Sequence, residues 1–134
     1  MFYFEDFHGT KILKSDLLKE ITAFFSTREL PDLTKLGADR ILSPVQTHSD
    51  NVEFVDKRNE YPNTDGLILT NLNDAVYLRF ADCTPLIFYD TVQNIAAVSH
   101  AGWRGTAQKI GVKTIEKMQS YPKDIIALIG PAIS

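Results

Sequence analysis

Several kinds of residue are scarce in this chain, and each scarcity excludes a class of protein. The 134 residues include one cysteine, so a framework of internal disulfides is excluded and a reducing compartment is favoured. Fourteen lysines and arginines against seventeen acidic residues leave a formal net charge of −3, which offers no general field for nucleic acid or an anionic membrane. The longest apolar run, Ile125–Ile129, is far shorter than the ~20 residues of a membrane-spanning helix. The first residues, MFYFEDF, lack the positive charge of a secretory leader, and we expect a cytoplasmic protein.

The remaining pattern is rich in strands and contains one clear helix. Residues 2–7 predict a short strand, and residues 15–25 predict a helical turn that leads into a strand. Apolar positions three and four residues apart predict one long helix near residues 106–120. Seven further runs predict strands, the last of them buried: RILSPVQT, NVEFVD, TDGLILT, AVYLRF, PLIFYD, NIAAVSH and IIALIG. We therefore expect an α/β (α+β-like) layered fold with a mixed β-sheet, in a single domain over residues 1–134. The apolar ending IGPAIS indicates that this domain continues beyond the C-terminus.

Three segments hold most of the reactive side chains, and each lies where a predicted strand meets a turn: QTHSDNV (46–52), ADCTP (81–85) and SHAGWRGT (99–106). If these segments converge, His48, Cys83 and His100 would bind Zn²⁺ through two imidazoles and a thiolate, with the fourth position open. Such a site activates water or polarises a substrate oxygen. Their spacing is no local metal signature, however. A buried structural Cys83, a surface His48 and a hydrogen-bonding His100 at a strand end remain alternatives.

The segment GWRGT passes from a strand into the predicted helix and has the features of an anion site. Arg104, Gly105 and Thr106 would combine a positive side chain with free backbone N–H groups at the positive end of the helix dipole. Arg28 is a candidate second contact for the anion. The alternative is that Thr106 only caps the helix and that both arginines are solvated.

Two carboxylates accompany these groups. Asp65 or Asp82 could orient a metal-bound histidine through its other ring nitrogen, or act as a general base. The dipeptide Asp65–Gly66 is also typical of a turn. Asp82 stands among apolar segments and requires a polar partner.

Taken together, these segments resemble one family, the bacterial laccase-domain proteins. Members were once described as multicopper polyphenol oxidases and are now regarded as purine nucleoside phosphorylases. The family motifs occur here in order: FSTR at 25–28, QTHSDNV at 46–52, TDGLILT at 64–70, ADCTP at 81–85, HAGWRGT at 100–106 and IGPAIS at 129–134. The segment between FSTR and QTH is shorter than is usual in the family, and the family continues beyond GPAI.

The resemblance implies a mononuclear Zn²⁺ site, for which copper has also been proposed, made by His48, Cys83 and His100. It implies phosphorolysis of adenosine, inosine, guanosine and methylthioadenosine, together with adenosine deamination. On this reading we take Cys83, Asp82 and Arg104 as catalytic. Phosphate or substrate would bind at the start of the predicted helix and at two residues outside it. The full set is Arg28, Asp65, Arg104, Gly105 and Thr106. The partners would be a purine nucleoside and phosphate, and the chain could also form a homodimer.

Other readings of the same residues remain. Three histidines cannot supply the imidazoles of a laccase's three-copper cluster in addition to a Cys-His₂ copper, so a true laccase mechanism is not expected of this chain. Cys83 could instead be a nucleophile activated by His48 or His100 in an amide hydrolase, such as an enzyme that edits peptidoglycan precursors. A metal-binding domain without turnover is the third reading.

Overall fold

The structure is a computed structural model that describes residues 1–80, 83–102 and 106–130, without the side chains of residues 106–108. Its internal contacts divide the chain into two compact units, Met1–Gly37 and Ala38–Ser134. The expectation of one domain over residues 1–134 stays a prediction. No helix in the described ranges is long and apolar enough to cross a membrane.

The first unit is a three-stranded antiparallel sheet in the order β1-β2-β3. Its strands are β1 (Phe2–Phe7), β2 (Thr10–Ser15) and β3 (Phe25–Ser26), followed by a 3₁₀ helix over Leu33–Leu36. A two-residue turn joins β1 to β2, with His8 and Gly9 at φ 49° and 91°, as tight hairpins require. The strand predicted over residues 2–7 is confirmed, whereas β2 was not anticipated.

The helical turn expected within residues 15–25 is wrong. The Ser15 hydroxyl accepts the Leu17 N–H at 3.1 Å and the Ser15 carbonyl accepts the Leu18 N–H at 3.3 Å, so the chain turns as β2 ends. A Ser hydroxyl that satisfies a local backbone N–H favours a turn over a helix. Only the strand at the end of this segment, β3, is found.

The second unit contains a five-stranded mixed sheet in the order β10-β8-β9-β6-β5 and a separate parallel pair, β4 with β7. Within the five-stranded sheet, β5 and β6 are parallel and the other neighbours are antiparallel. The elements are β4 (Ile41–Leu42), β5 (Val52–Phe54), β6 (Gly66–Leu69), β7 (Ala75–Val76), β8 (Thr84–Asp90), β9 (Ile95–Ala101), α1 (Thr106–Met118) and β10 (Ile125–Ile129). A 3₁₀ helix, Pro122–Asp124, precedes β10.

Helix α1 covers one face of this sheet. Its residues Ile110 and Met118 are 0% and 2% exposed and belong to an apolar cluster with side chains of β5, β6, β8 and β9. Burying one such side chain contributes about 1.5–3 kcal/mol. A second cluster, with Leu67 and Leu69, occupies the other face of β6. The expected class is therefore confirmed: a layered mixed α/β fold, rich in strands, with its helix near the predicted bounds.

Three predicted strands differ from the structure. RILSPVQT and AVYLRF form only the two-residue strands β4 and β7. IIALIG forms β10, but as an edge strand of the described sheet rather than a buried one, because it pairs with β8 while Ile129 is 66% exposed. A continuous apolar run does not distinguish an edge strand from a central one.

Candidate functional site

The β8–β9 hairpin brings two of the predicted ligands to one end of the sheet. Thr84 pairs with Ala101 and Pro85 pairs with His100, and Cys83 immediately precedes β8. Both Cys83 and His100 are buried. The two segments, distant in sequence, therefore meet at the end of the hairpin where β8 begins.

Strand β6 places Asp65 beside His100. Gly66 pairs with Ser99, and the His100 N–H donates to the Asp65 carbonyl at 2.7 Å. A Cβ on Gly66 would lie 2.9 Å from Ser99 Oγ and 3.0 Å from a Val52 methyl, so this close approach requires glycine. Gly66 thus begins a strand and is not the turn residue that Asp65–Gly66 resembles.

The loop that carries His48 folds around the Asp65 carboxylate. The backbone N–H groups of Thr47, His48 and Ser49 donate to it at 3.0, 3.1 and 2.9 Å, and the Ser49 hydroxyl donates at 2.8 Å. His48 has φ 61°, a left-handed conformation that is unusual for a residue with a side chain. Such a conformation persists when its surroundings fix it, here through these N–H groups.

The same carboxylate also binds the ring of His100. His100 Nδ1 lies 2.8 Å from Asp65 Oδ2, and both side chains are buried. Burial alone would raise the pKa of Asp65, but hydrogen bonds from Thr47, Ser49 and His100 outweigh it and hold the pKa below the ordinary 3.8. Because an ionised carboxylate only accepts hydrogen bonds, Nδ1 of His100 is the donor to Asp65 Oδ2, and in the neutral ring the lone pair is then on Nε2.

As a result, the two histidine rings are close. The centroids of His48 and His100 lie 5.1 Å apart at 88°, and the ring of Phe80 lies 5.4 Å from His100 on another side. The predicted convergence of the first and third segments is therefore observed. Sequence reasoning placed the two histidines in one ligand set and named Asp65 or Asp82 as the carboxylate behind a histidine, but it could not establish that Asp65 contacts both.

Gln46 is a site residue that sequence reasoning missed. Its side-chain amide donates to the Arg79 carbonyl at 2.7 Å, and its Oε1 accepts the Arg79 N–H at 2.7 Å. This pair fixes the loop of His48 to the segment that leads to Cys83. Its only sequence signal was its place as the first residue of QTHSDNV.

The donor types at this end of the sheet fit a zinc ion. Two imidazoles and a thiolate are common zinc ligands, and a histidine whose Nδ1 donates to a carboxylate presents Nε2 to a metal. Within the described residues, however, no group of three or more His, Cys, Asp or Glu side chains is arranged to hold a metal ion. The paired histidines are observed, and the three-ligand set stays a prediction.

The predicted anion site lies largely outside the described residues, which exclude Arg104 and Gly105 as well as the catalytic candidate Asp82. Thr106 is the first residue of α1. Arg28 is exposed in the first unit. The role in phosphate or substrate binding stays a prediction for Arg28, Asp65, Arg104, Gly105 and Thr106, as does the catalytic role of Asp82. The contacts of Asp65 favour its other predicted role, which is to orient a histidine.

The layered mixed sheet thus carries at one strand end two histidines that share the carboxylate of Asp65, one through its ring and one through its backbone N–H. The sequence matches the model of the family described as multi-copper polyphenol oxidoreductase laccase over residues 19–134. The chain belongs to this family, as the motifs indicated.

Individual relatives carry more specific names. The chain is 43% identical over 103 residues to the purine nucleoside phosphorylase YlmD of Bacillus subtilis, covering 66% of this chain and 37% of that protein. It is similar to the crystal structure of YlmD from Geobacillus stearothermophilus, with a TM-score of 0.64 and 30% identity over 71% of this chain and 40% of that one. The crystal structure of the Bacillus licheniformis hypothetical protein YfiH matches with a TM-score of 0.63 and 36% identity over 70% and 40%. The chain thus spans about two fifths of the length of these relatives.

Proposed function

We propose that this chain carries the metal-binding part of a purine nucleoside phosphorylase. In this reaction inorganic phosphate attacks C1′ of the ribose, the glycosidic bond breaks, and the purine leaves with a proton. The observation that carries the proposal is the pair of histidines held by Asp65, together with the name of the Bacillus subtilis relative. A cytoplasmic location would keep the single thiol reduced.

His48, Cys83 and His100 would hold the metal, Zn²⁺ by donor type or copper as the alternative. A bound ion with an open position supplies a Lewis acid and a source of activated water. We extend the proposal to adenosine deamination on this ground. Because metal ligands bind in their deprotonated forms, a Cys83 thiolate and two neutral imidazoles would give the bound set a single negative charge.

Phosphate would be held by Arg104, Gly105 and Thr106 at the start of α1, with Arg28 as a further contact. Backbone N–H groups at a helix start and a guanidinium bind phosphate through charge-assisted hydrogen bonds. Asp82 would exchange the proton with the purine or the water. Arg104→Ala should raise the KM for phosphate with little effect on metal content, and an unchanged KM would remove Arg104 from this role.

The metal set is tested by replacing each histidine with asparagine. We expect His48→Asn and His100→Asn to lose bound zinc and phosphate-dependent release of hypoxanthine from inosine. His8→Asn is the matched control, because His8 also has a positive φ but lies in the β1–β2 turn, and asparagine tolerates that conformation. Elemental analysis of the purified chains measures the metal. Equal zinc in all three variants would contradict the ligand assignment.

The alternative amide hydrolase is favoured by one observation, which is that Cys83 and His100 lie at the same end of the β8–β9 hairpin. It predicts activity that survives strong chelation and is lost on alkylation of the thiol. The phosphorylase should lose activity on chelation and regain it with added Zn²⁺. Full zinc occupancy without release of hypoxanthine would favour a metal-binding domain without turnover.

A further inference from the structure

We propose that Asp65 is a positioning residue that controls both histidines through a single carboxylate oxygen, Oδ2. The proposal rests on the proposed function, in which both histidines are ligands of one metal ion. It assigns Asp65 no contact with substrate or metal.

The two oxygens of Asp65 have different partners. Oδ1 accepts from the Thr47 N–H, the Ser49 N–H and the Ser49 hydroxyl, so it binds only the loop. Oδ2 accepts from the His48 backbone N–H at 3.1 Å and from His100 Nδ1–H at 2.8 Å. One atom therefore joins the backbone of one histidine to the ring of the other.

Each of these contacts fixes a different property. The bond to Nδ1 selects the His100 tautomer whose Nε2 carries a lone pair, which is the form that binds a metal. The bonds to the loop hold His48 in its left-handed conformation and so determine where its side chain begins. Asp65 is 0% exposed, so water does not compete for either oxygen.

A second buried carboxylate, on another strand of the same five-stranded sheet, provides the comparison. Asp90 lies at the opposite end of β8 and is 1% exposed. Its oxygens accept from the Val92 N–H, from the backbone and side chain of Gln93, and from the Ser120 hydroxyl. Like Asp65, it is a buried carboxylate that accepts several hydrogen bonds, but no histidine is among these partners.

The experiment compares Asp65→Asn with Asp90→Asn in the metal-free chain. We expect Asp65→Asn to weaken Zn²⁺ binding about 10- to 100-fold in a chelator competition, as is typical for loss of a carboxylate behind a ligating histidine. Asp90→Asn should lower thermal stability and leave Zn²⁺ affinity unchanged. Equal Zn²⁺ affinity in wild type and Asp65→Asn, or equal loss in both variants, would overturn the proposal.

A measurement on the wild type keeps the proposal testable if Asp65→Asn does not fold. Nitrogen NMR of the metal-free chain should show His100 protonated at Nδ1 and His8 as an ordinary mixture of tautomers. A predominant Nε2–H form of His100 would overturn the proposal. The tautomer is measured without metal or substrate, so this result is independent of whether the chain releases hypoxanthine, which tests the proposed function.

Discussion

At the scale of single residues, the side chain of Gln46 makes hydrogen bonds to the backbone of Arg79 that a paired strand would otherwise make. Its amide satisfies both the N–H and the carbonyl of Arg79, as a neighbouring strand would. Arg79 is thereby attached to the loop of His48 by a side chain. We expect this pair to stabilise the loop.

Gln46→Glu removes the donor of this pair and keeps its size. The Arg79 carbonyl would face a carboxylate oxygen instead of an N–H, and we expect a loss of about 0.5–1.5 kcal/mol in the free energy of unfolding, the range for an exposed hydrogen bond. Urea denaturation measures the loss. Gln119→Glu adds the same charge at an exposed position and should change stability by no more than about 0.5 kcal/mol. Equal effects of the two changes would mean that the pair contributes nothing.

At the scale of elements, β6 is the strand on which the site depends. All four of its residues are buried, with apolar clusters on both faces, and Asp65 precedes it directly. Gly66 lets β6 approach β9 closely enough for Asp65 to meet His100. The position of the carboxylate is therefore a consequence of sheet packing.

Gly66→Ala should destabilise the fold by about 1–3 kcal/mol, because its new methyl would overlap Ser99 and Val52. Gly111→Ala is the matched control. Its methyl would lie 3.6 Å from Leu86 and 3.7 Å from Phe88, which is ordinary contact, and alanine is favoured in a helix by about 0.5–1 kcal/mol. Urea midpoints should therefore move in opposite directions. A Gly66→Ala midpoint at or above that of the wild type would contradict the overlap.

At the scale of the whole molecule, acid should unfold the chain partly through Asp90. Burial would raise the pKa of Asp90, but hydrogen bonds from Ser120, Gln93 and Val92 lower it from 3.8 to about 2. A carboxyl whose pKa is lower in the folded state stabilises the fold at pH values above its unfolded pKa. That stability is lost as the pH falls from about 4 to about 2.

Asp90→Asn should therefore flatten the acid dependence of stability. We expect the variant to be less stable than wild type at pH 7, with a difference that narrows as the pH falls towards about 2. Urea unfolding followed across this range measures both curves. Parallel curves would show that Asp90 contributes nothing to the acid transition.

Local patterns predicted much of this molecule, and contacts between distant residues account for the rest. The period of α1 and the three reactive segments are visible in the sequence because each is a short-range signal. The role of Asp65 is not, since its partners lie 16 to 18 residues away on one side and 35 on the other. The turn after β2 and the edge position of β10 depend on a side-chain hydrogen bond and on strand order, which the apolar pattern does not encode.

The shared oxygen of Asp65 also has a kinetic consequence. The histidine pair exists only after β6 has docked on β9 and the loop has closed, and both contacts span long stretches of chain. We therefore expect the proposed metal site to form late in folding. If so, zinc added to the chain should slow unfolding much more than it accelerates refolding.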